Sequence, residues 1–496
     1  MAAGVRTMSS LAVYMNEQFA GRVDTATLMF RYEPSYLQQI HKTPLSVRVP
    51  LTGGAHNVEA WLDGLLPDSD TVRRRWSERH GARSARPVDL LASPVGLDCA
   101  GAVRFCSLEH AESLPERPSG IEWLTDDEIE HWIKQARLDW SHWDGLGKHG
   151  QVSLGGAQAK CALRRSGHRW GAPFGNAATT HILKPGLEDL EAAEVVEHIC
   201  MAAARAVGLD AADTSVEHFG DERVIVVERF DRMVRDGRVL RLHQEDLCQA
   251  LGVKPDLKYQ ADGGPGPVEV AELLRRESVA PQKDLLKFCD ALIYSWAIAA
   301  PDAHAKNYSL TLHEGRVRLA PLYDIASFLP YSQQTPAWKL RTAMRVGRDY
   351  TLRKADRVEA WRRTAESLGL GSEEVLARSA DLVRRIPEAV AAVIEALDRR
   401  DRAEAAVALL ARRVSARCRE LGRIFSPGPV YRPWQNGSVT AVARASVPCE
   451  QTLGASDDAR CGRRLLMKPC PLHPDSPGSR SVQQSDKNPP ESPSKL

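Results

Sequence analysis

Apolar and polar positions alternate with a two-residue period near the start of the chain, and later stretches change to a three-to-four-residue period. Residues 11–15 and 19–23 read as two strands around Asn16-Glu17, with residues 28–32 as a third strand and residues 45–50, after the Thr43-Pro44 break, as a fourth. Residues 58–65 and 71–80 carry helical spacing, and the small-residue run 99–105 reads as a strand packed closely against a neighbour. Thr125-Asp126-Asp127-Glu128 is a capping box, with Leu124 and Ile129 placed as a hydrophobic staple. The helix it opens has Ile129, Trp132, Ile133 and Ala136 on one face.

Further along, residues 180–185 form a short strand and residues 192–207 a helix striped with Val195, Val196, Ile199, Ala203 and Val207. Residues 224–230 are an apolar strand, and residues 242–251 read as a helix with a polar opening and with Leu247 and Leu251 inward. Leu285, Phe288, Leu292 and Trp296 make the stripe of a core helix. Residues 308–312 and 317–319 form a hairpin around Glu314-Gly315, and residues 358–424 a run of amphipathic helices. Beyond 425, Pro, Ser, Gly and charged residues without periodicity predict a disordered tail.

Composition narrows the class. A chain of 496 residues with 43% hydrophobic and 26% charged residues implies about two to four globular domains. Lys+Arg at 66 against Asp+Glu at 64 excludes a general polyanion-binding surface. The Arg-rich stretch 71–80 accordingly reads as a solvated helix face. Ten cysteines without a CxxC pair fit a reducing compartment. With no apolar h-region in residues 1–16 and no run of spanning length, a cytoplasmic protein without a membrane partner is expected. Cys461, Cys470 and His473 make an incomplete zinc set.

The chemistry concentrates around the hairpin at 308–319. Asp302, four positions before Lys306 and five before Asn307, precedes it, and Asp324 follows it. Phosphoryl transfer needs a placed proton acceptor and hard oxygen ligands for Mg²⁺, and Asp302 suits the first role as Asn307 and Asp324 suit the second. Ser153-Leu154-Gly155-Gly156-Ala157 offers a loop whose backbone N–H groups can approach phosphate. It is neither a Walker A motif nor a dinucleotide fingerprint, and a generic Gly-Gly turn is the alternative. Lys184 ends a strand where a kinase-like small lobe holds the cation for the phosphates, with Glu191, Glu194 and Glu197 as candidate partners. The run Glu228-Arg229-Phe230-Asp231-Arg232 sits where an ATP hinge belongs.

These blocks, in this order, resemble the HipA family of serine/threonine kinase toxins from bacterial type II toxin–antitoxin modules. The resemblance covers residues 10–425 and rests on Leu65-Leu66-Pro67, Gly101-Ala102-Val103 and the blocks 153–160, 181–184, 228–232, 243–251, 302–309 and 321–327. It implies an α+β, bilobal protein-kinase-like fold with a small N-terminal α+β domain and a mostly helical C-terminal lobe. The expected units are 1–108, a linker and helix at 109–150, a small lobe at 151–235, a helical lobe at 236–425 and the tail at 426–496. The resemblance further implies ATP and Mg²⁺ as cofactors and transfer to a protein Ser, with the translation machinery as the family's precedent. A helix-turn-helix antitoxin would be the partner, with DNA met only through that antitoxin.

By the same resemblance Asp302 is the catalytic base, with His304 and Lys306 lining its loop, and Asn307 and Asp324 hold the metal. Gly155, Gly156 and Ala157 cover the phosphates, Lys184 binds them, and Glu228 and Phe230 meet adenine. Ser153 is implied as an autophosphorylation site that ejects the loop. One departure stands out: the family often has Gly-Asn where this chain has Ala299-Ala300, and Pro301 then fixes φ before Asp302. Two alternatives stay open, a small-molecule kinase on the same fold and a non-catalytic co-repressor that binds a helix-turn-helix partner.

Overall fold

The computed structural model describes residues 10–114, 116–139, 153–156, 158–331 and 339–425. The readings of Ala157, of the tail and of its Cys/His set therefore lie outside the described residues.

Near the N-terminus, strands Ser10–Met15, Gln18–Asp24, Met29–Tyr32 and Val103–Ser107 join the short strand His56–Asn57 in one antiparallel sheet. The alternation read from the sequence holds: Leu11, Val13, Phe30 and Phe105 share one buried cluster with Trp61, Leu62, Val72 and Trp76 of the helices Glu59–Gly64 and Asp70–Arg79. Arg73 departs from the solvated-face reading, because it is buried and binds Asp63 and the Pro67 carbonyl.

Residues 45–50 are not a strand. Leu45, Val47 and Val49 alternate as a strand would, but Pro44 and Pro50 flank a turn closed by Val49 N–H on the Ser46 carbonyl at 2.9 Å. The Val47 N–H is satisfied instead by Glu245 Oε1 at 2.8 Å. The expected strand at 99–105 likewise begins only at Val103, since Gly101 takes φ +77° and gives its N–H to Asp231 Oδ2 at 2.7 Å.

A second antiparallel sheet of six strands follows, in the order Thr214–Phe219, Glu222–Glu228, His181–Pro185, Cys161–Ser166, Arg169–Phe174 and Gly120–Leu124. The stretch read as a linker and a helix at 109–150 thus also supplies this sheet's edge strand, Gly120–Leu124. Its capping box forms in both directions, and the helix Asp126–Leu138 buries the four predicted residues Ile129, Trp132, Ile133 and Ala136.

Residues 243–246 are a second correction. They form a strand paired with Ser309–His313, and the helix Leu247–Leu251 starts only after Asp246, whose side chain caps it. Polar residues are tolerated in this buried strand because the 45–50 turn answers them, with His243 Nε2 lying 2.9 Å from the Leu45 carbonyl. The hairpin Ser309–His313 and Arg316–Leu319 completes a three-stranded sheet. Beyond it, helices Pro281–Ala297, Val358–Leu368, Ser372–Ala396 and Ala405–Ile424 share one apolar core with the helix Ala193–Ala206. The α+β class holds, and no described helix is long and apolar enough to cross a membrane.

The seam between the 45–50 turn and strand His243–Asp246 carries a pH dependence. Burial pushes the Glu245 carboxyl up to about 8, and the neighbouring Asp246 adds to the rise. A carboxyl whose folded pKa is raised contributes stability at low pH that is lost as pH climbs through that pKa. The Glu245 contribution to the melting temperature is therefore expected to be lost between about pH 4.5 and about pH 8, and Glu245→Gln is expected to remove that loss. An equal decline in the Gln variant, followed by circular dichroism, would disprove the assignment.

Candidate active site

The two sheets and the helical lobe meet around a cleft enclosing about 980 Å³, open mouth included. Its apolar end is lined by Leu154, Ile182, Ala212, Val227 and Phe230, and Phe230 stacks on Tyr323 with ring centroids 5.8 Å apart. The other end is polar, lined by Gly155, Gly156, Lys160, Lys184, Asn307 and Asp324. A flat apolar slot that runs into cations and oxygen donors suits a base joined to phosphates.

Lys184 sits at the junction. The strand His181–Pro185 delivers it beneath the helix Ala193–Ala206, where its Nζ meets Glu197 Oε1 at 3.2 Å and Asp324 Oδ1 at 2.7 Å. Of the three candidate acids, only Glu197 pairs with it: Glu194 binds Arg223, and the Glu191 carbonyl accepts from Tyr331. Burial works against the Lys184 ammonium, but Asp324 and Glu197 outweigh it and raise its pKa, so the side chain stays charged.

The core helix Pro281–Ala297 buries Leu285, Phe288, Leu292 and Trp296 as predicted and presents the next loop from a rigid base. The His304 N–H and Asn307 Nδ2 both donate to the Asp302 carbonyl, at 2.8 and 2.7 Å. Tyr259 donates its hydroxyl to Asp302 Oδ1, and His304 Nε2 lies 3.7 Å from the same oxygen. With its amide nitrogen engaged, Asn307 has its carbonyl oxygen as the remaining acceptor.

The helix ends where Ala299 turns left-handed at φ +53° and the Ala300 N–H returns to the Ser295 carbonyl at 2.7 Å. This is the position at which the HipA family often has Gly, the residue that adopts such a φ without strain. Ala299→Gly is therefore expected to stabilise the chain by up to about 1 kcal/mol, after the entropy Gly adds to the unfolded chain. A lowered urea midpoint would refute this.

Of the residues singled out from the sequence, Gly155, Gly156, Lys184, Glu228, Phe230, His304, Lys306, Asn307 and Asp324 line the one cleft. Asp302 stands beside it, partly buried. The Glu228 N–H is already donated to the Asp213 carbonyl at 2.9 Å, so adenine would not meet that group. Ser153 is fully buried, with its Oγ donating to the Leu65 carbonyl at 2.7 Å and its N–H to the Asp98 carbonyl at 3.0 Å. Sequence reasoning missed Tyr259, Lys258, Lys160 and Asp68. Lys258 and Tyr259 stand shortly before the Asp262-Gly263-Gly264 loop, where nothing marks them until Asp302 is brought alongside.

An αβ small lobe, a helical lobe and a cleft joining a buried Lys–Glu pair to two acids and an Asn define a protein-kinase-like enzyme. Two family models match, the HipA N-terminal domain over residues 11–106 and the HipA-like C-terminal domain over residues 152–393. The Sinorhizobium fredii protein Y4mE is 34% identical over 375 residues, covering 74% of this chain and 86% of that protein. The serine/threonine-protein kinase toxin HipA of Shewanella oneidensis is 29% identical over 398 residues, covering 76% of this chain and 87% of its own. A solved structure of Shewanella oneidensis HipA with HipB and operator DNA superposes with TM-score 0.71 at 25% identity, covering 84% of this chain and all of that one. The chain belongs to the HipA family, and it is an enzyme of that family's kinase type.

Proposed function

We propose that this chain is an ATP-dependent serine/threonine protein kinase acting as the toxin of a toxin–antitoxin module. The observation that carries the reading is Lys184 held between Glu197 and Asp324, in a cleft that also contains Asn307 and the Gly155-Gly156 loop. Asp302, oriented by Tyr259 and by its own loop, accepts the proton of the acceptor hydroxyl. Lys184 and the loop amides at Gly155 and Gly156 hold the nucleotide's phosphates, and the pocket by Phe230 and Val227 receives adenine.

Asn307 and Asp324 fit Mg²⁺, because both line the cleft and both offer hard oxygen donors. When bound, the ion would neutralise charge on the transferring phosphoryl group. Asp324 is held at φ +59°, a left-handed conformation that an Asp adopts at some strain and that is common at working sites.

A helix-turn-helix antitoxin is the proposed partner, with operator DNA reached through it, as the Shewanella complex suggests for its own HipA. The acceptor is proposed to be a protein Ser, with a translation component as the family's precedent. A phosphoproteome compared between cells expressing this chain and its Asp302→Asn variant tests both; no acceptor site specific to the wild type would overturn the reading. Ser153 is the proposed autophosphorylation site, and its burial requires the 153–156 segment to leave Leu65 and Asp98 first. Mapping phosphosites on the purified chain after incubation with ATP checks it, and an unmodified Ser153 would leave that hydroxyl a structural group.

A further inference from the structure

The turn after the helix Glu59–Gly64 carries the N-terminal unit into the cleft. Gly64 lines the cleft wall, and the Asp68 N–H donates to the Gly156 carbonyl at 2.9 Å. A Cβ at Gly155 would stand 2.6 Å from the Gly64 carbonyl oxygen, so only glycine lets the loop lie against this turn. From the same turn the Asp68 side chain reaches the catalytic loop. Its Oδ1 accepts from Lys306 Nζ at 2.6 Å and its Oδ2 from Lys258 Nζ at 2.9 Å.

The three side chains are largely withdrawn from water, with exposures of 18% for Asp68, 6% for Lys306 and 14% for Lys258. Burial alone would raise the Asp68 carboxyl, but Lys306 and then Lys258 hold it well below the usual range. It is an anion at every working pH.

Both lysines are tied to the catalytic base. Lys306 lies four residues after Asp302, and Lys258 precedes Tyr259, whose hydroxyl binds Asp302. Both also line the cleft. Two ammonium groups, each on one oxygen of a single carboxylate, make an arrangement that two oxygens of a phosphoryl group satisfy equally well. The anion now between them belongs to the protein.

We propose that Lys258 and Lys306 form a phosphoryl subsite beside Asp302 and that Asp68 is its intramolecular occupant. The N-terminal unit thereby competes with an incoming phosphate for the same two cations. The inference rests on the kinase reading for its natural ligand, the terminal phosphate of ATP, while the competition itself depends only on charge.

The test titrates tripolyphosphate, which has no adenine, and separately Mg-ATP into the full chain and into Asp68→Asn and Asp68→Glu by calorimetry. Freeing two partly screened cations corresponds to roughly tenfold tighter tripolyphosphate binding in Asp68→Asn. Asp68→Glu keeps the charge and is expected to bind like the wild type. In a Lys258→Met background the gain from Asp68→Asn is expected to shrink by more than half. A folded Asp68→Asn that binds tripolyphosphate no tighter overturns the proposal, as does Asp68→Glu binding as tightly as the Asn variant.

Should Asp68→Asn lose its cooperative melt, Lys258→Met alone decides: several-fold weaker tripolyphosphate binding supports the subsite, and unchanged binding overturns it. Tighter tripolyphosphate binding in Asp68→Asn together with no phosphoryl transfer by the wild type would keep the subsite and defeat the kinase reading. Transfer by the wild type with no change in tripolyphosphate binding would do the reverse.

Discussion

Asp302→Asn lowers phosphoryl transfer by about 10²- to 10⁴-fold while leaving nucleotide binding close to the wild type. The amide has the shape of the carboxylate, its oxygen still accepts from Tyr259, and the Asp302 main-chain carbonyl keeps its bonds from His304 and Asn307. What goes is the basic lone pair that takes the acceptor proton. Asp302 is not among the residues lining the nucleotide cleft, so the loss should appear in kcat and not in the KM for ATP. Asp324→Ala makes the contrast, because it removes a cleft oxygen and one of the two anions around Lys184, so binding and turnover fall together. Steady-state transfer to a protein acceptor, alongside calorimetry with Mg-ATP, separates the two patterns. Near-wild-type transfer by Asp302→Asn would remove Asp302 from the role of base.

Local signals survived into the structure and long-range ones did not. The capping box at Thr125, the stripe of the helix Pro281–Ala297 and the hairpin at 309–319 are decided by residues a few positions apart, so a single sequence carries them whole. The spacing of Asp302, Asn307 and Asp324 around that hairpin was legible for the same reason. The 45–50 turn was misread because its alternation is real, while the acceptor for its backbone, Glu245, lies about two hundred residues on. The strand His243–Asp246 was misread as a helix opening because its polar residues are buried against that same turn. Asp68 falls between the two stretches of helical spacing at 58–65 and 71–80, and nothing local connects it with Lys306, 238 positions away. What the sequence hides is which charges meet, since pairing between distant segments leaves no periodicity.

The largest of these hidden meetings gives the second prediction: Asp98→Ala destabilises the folded chain by about 3–5 kcal/mol. Asp98 of the N-terminal unit enters a fully buried cluster behind the hinge. Its Oδ1 accepts from Arg232 at 2.9 Å and Arg241 at 3.0 Å, and its Oδ2 from the Thr179 hydroxyl at 2.6 Å. Asp231 takes Arg229 at 2.8 Å and Arg232 at 2.9 Å. Burial disfavours the Asp98 carboxylate, yet Arg232, Arg241 and Arg229 outweigh it and hold its pKa well below the usual range. Two carboxylates against three guanidinium groups is already one cation in excess, and without Asp98 only Arg229 and Arg232 keep a carboxylate, Asp231, while Arg241 is left with the Asn176 and Ala177 carbonyls. The penalty comes from those stranded charges more than from the lost pair itself. Because the Asp98 carbonyl also receives the Ser153 N–H, and the Cys99 carbonyl receives Arg229 and Arg232, the damage should spread to the phosphate loop and the hinge. Urea unfolding measures the first effect and nucleotide affinity of the still-folded fraction the second. A loss of stability under about 1 kcal/mol would mean that water or a counter-ion reaches these arginines, and that the N-terminal unit is not locked to the hinge by charge.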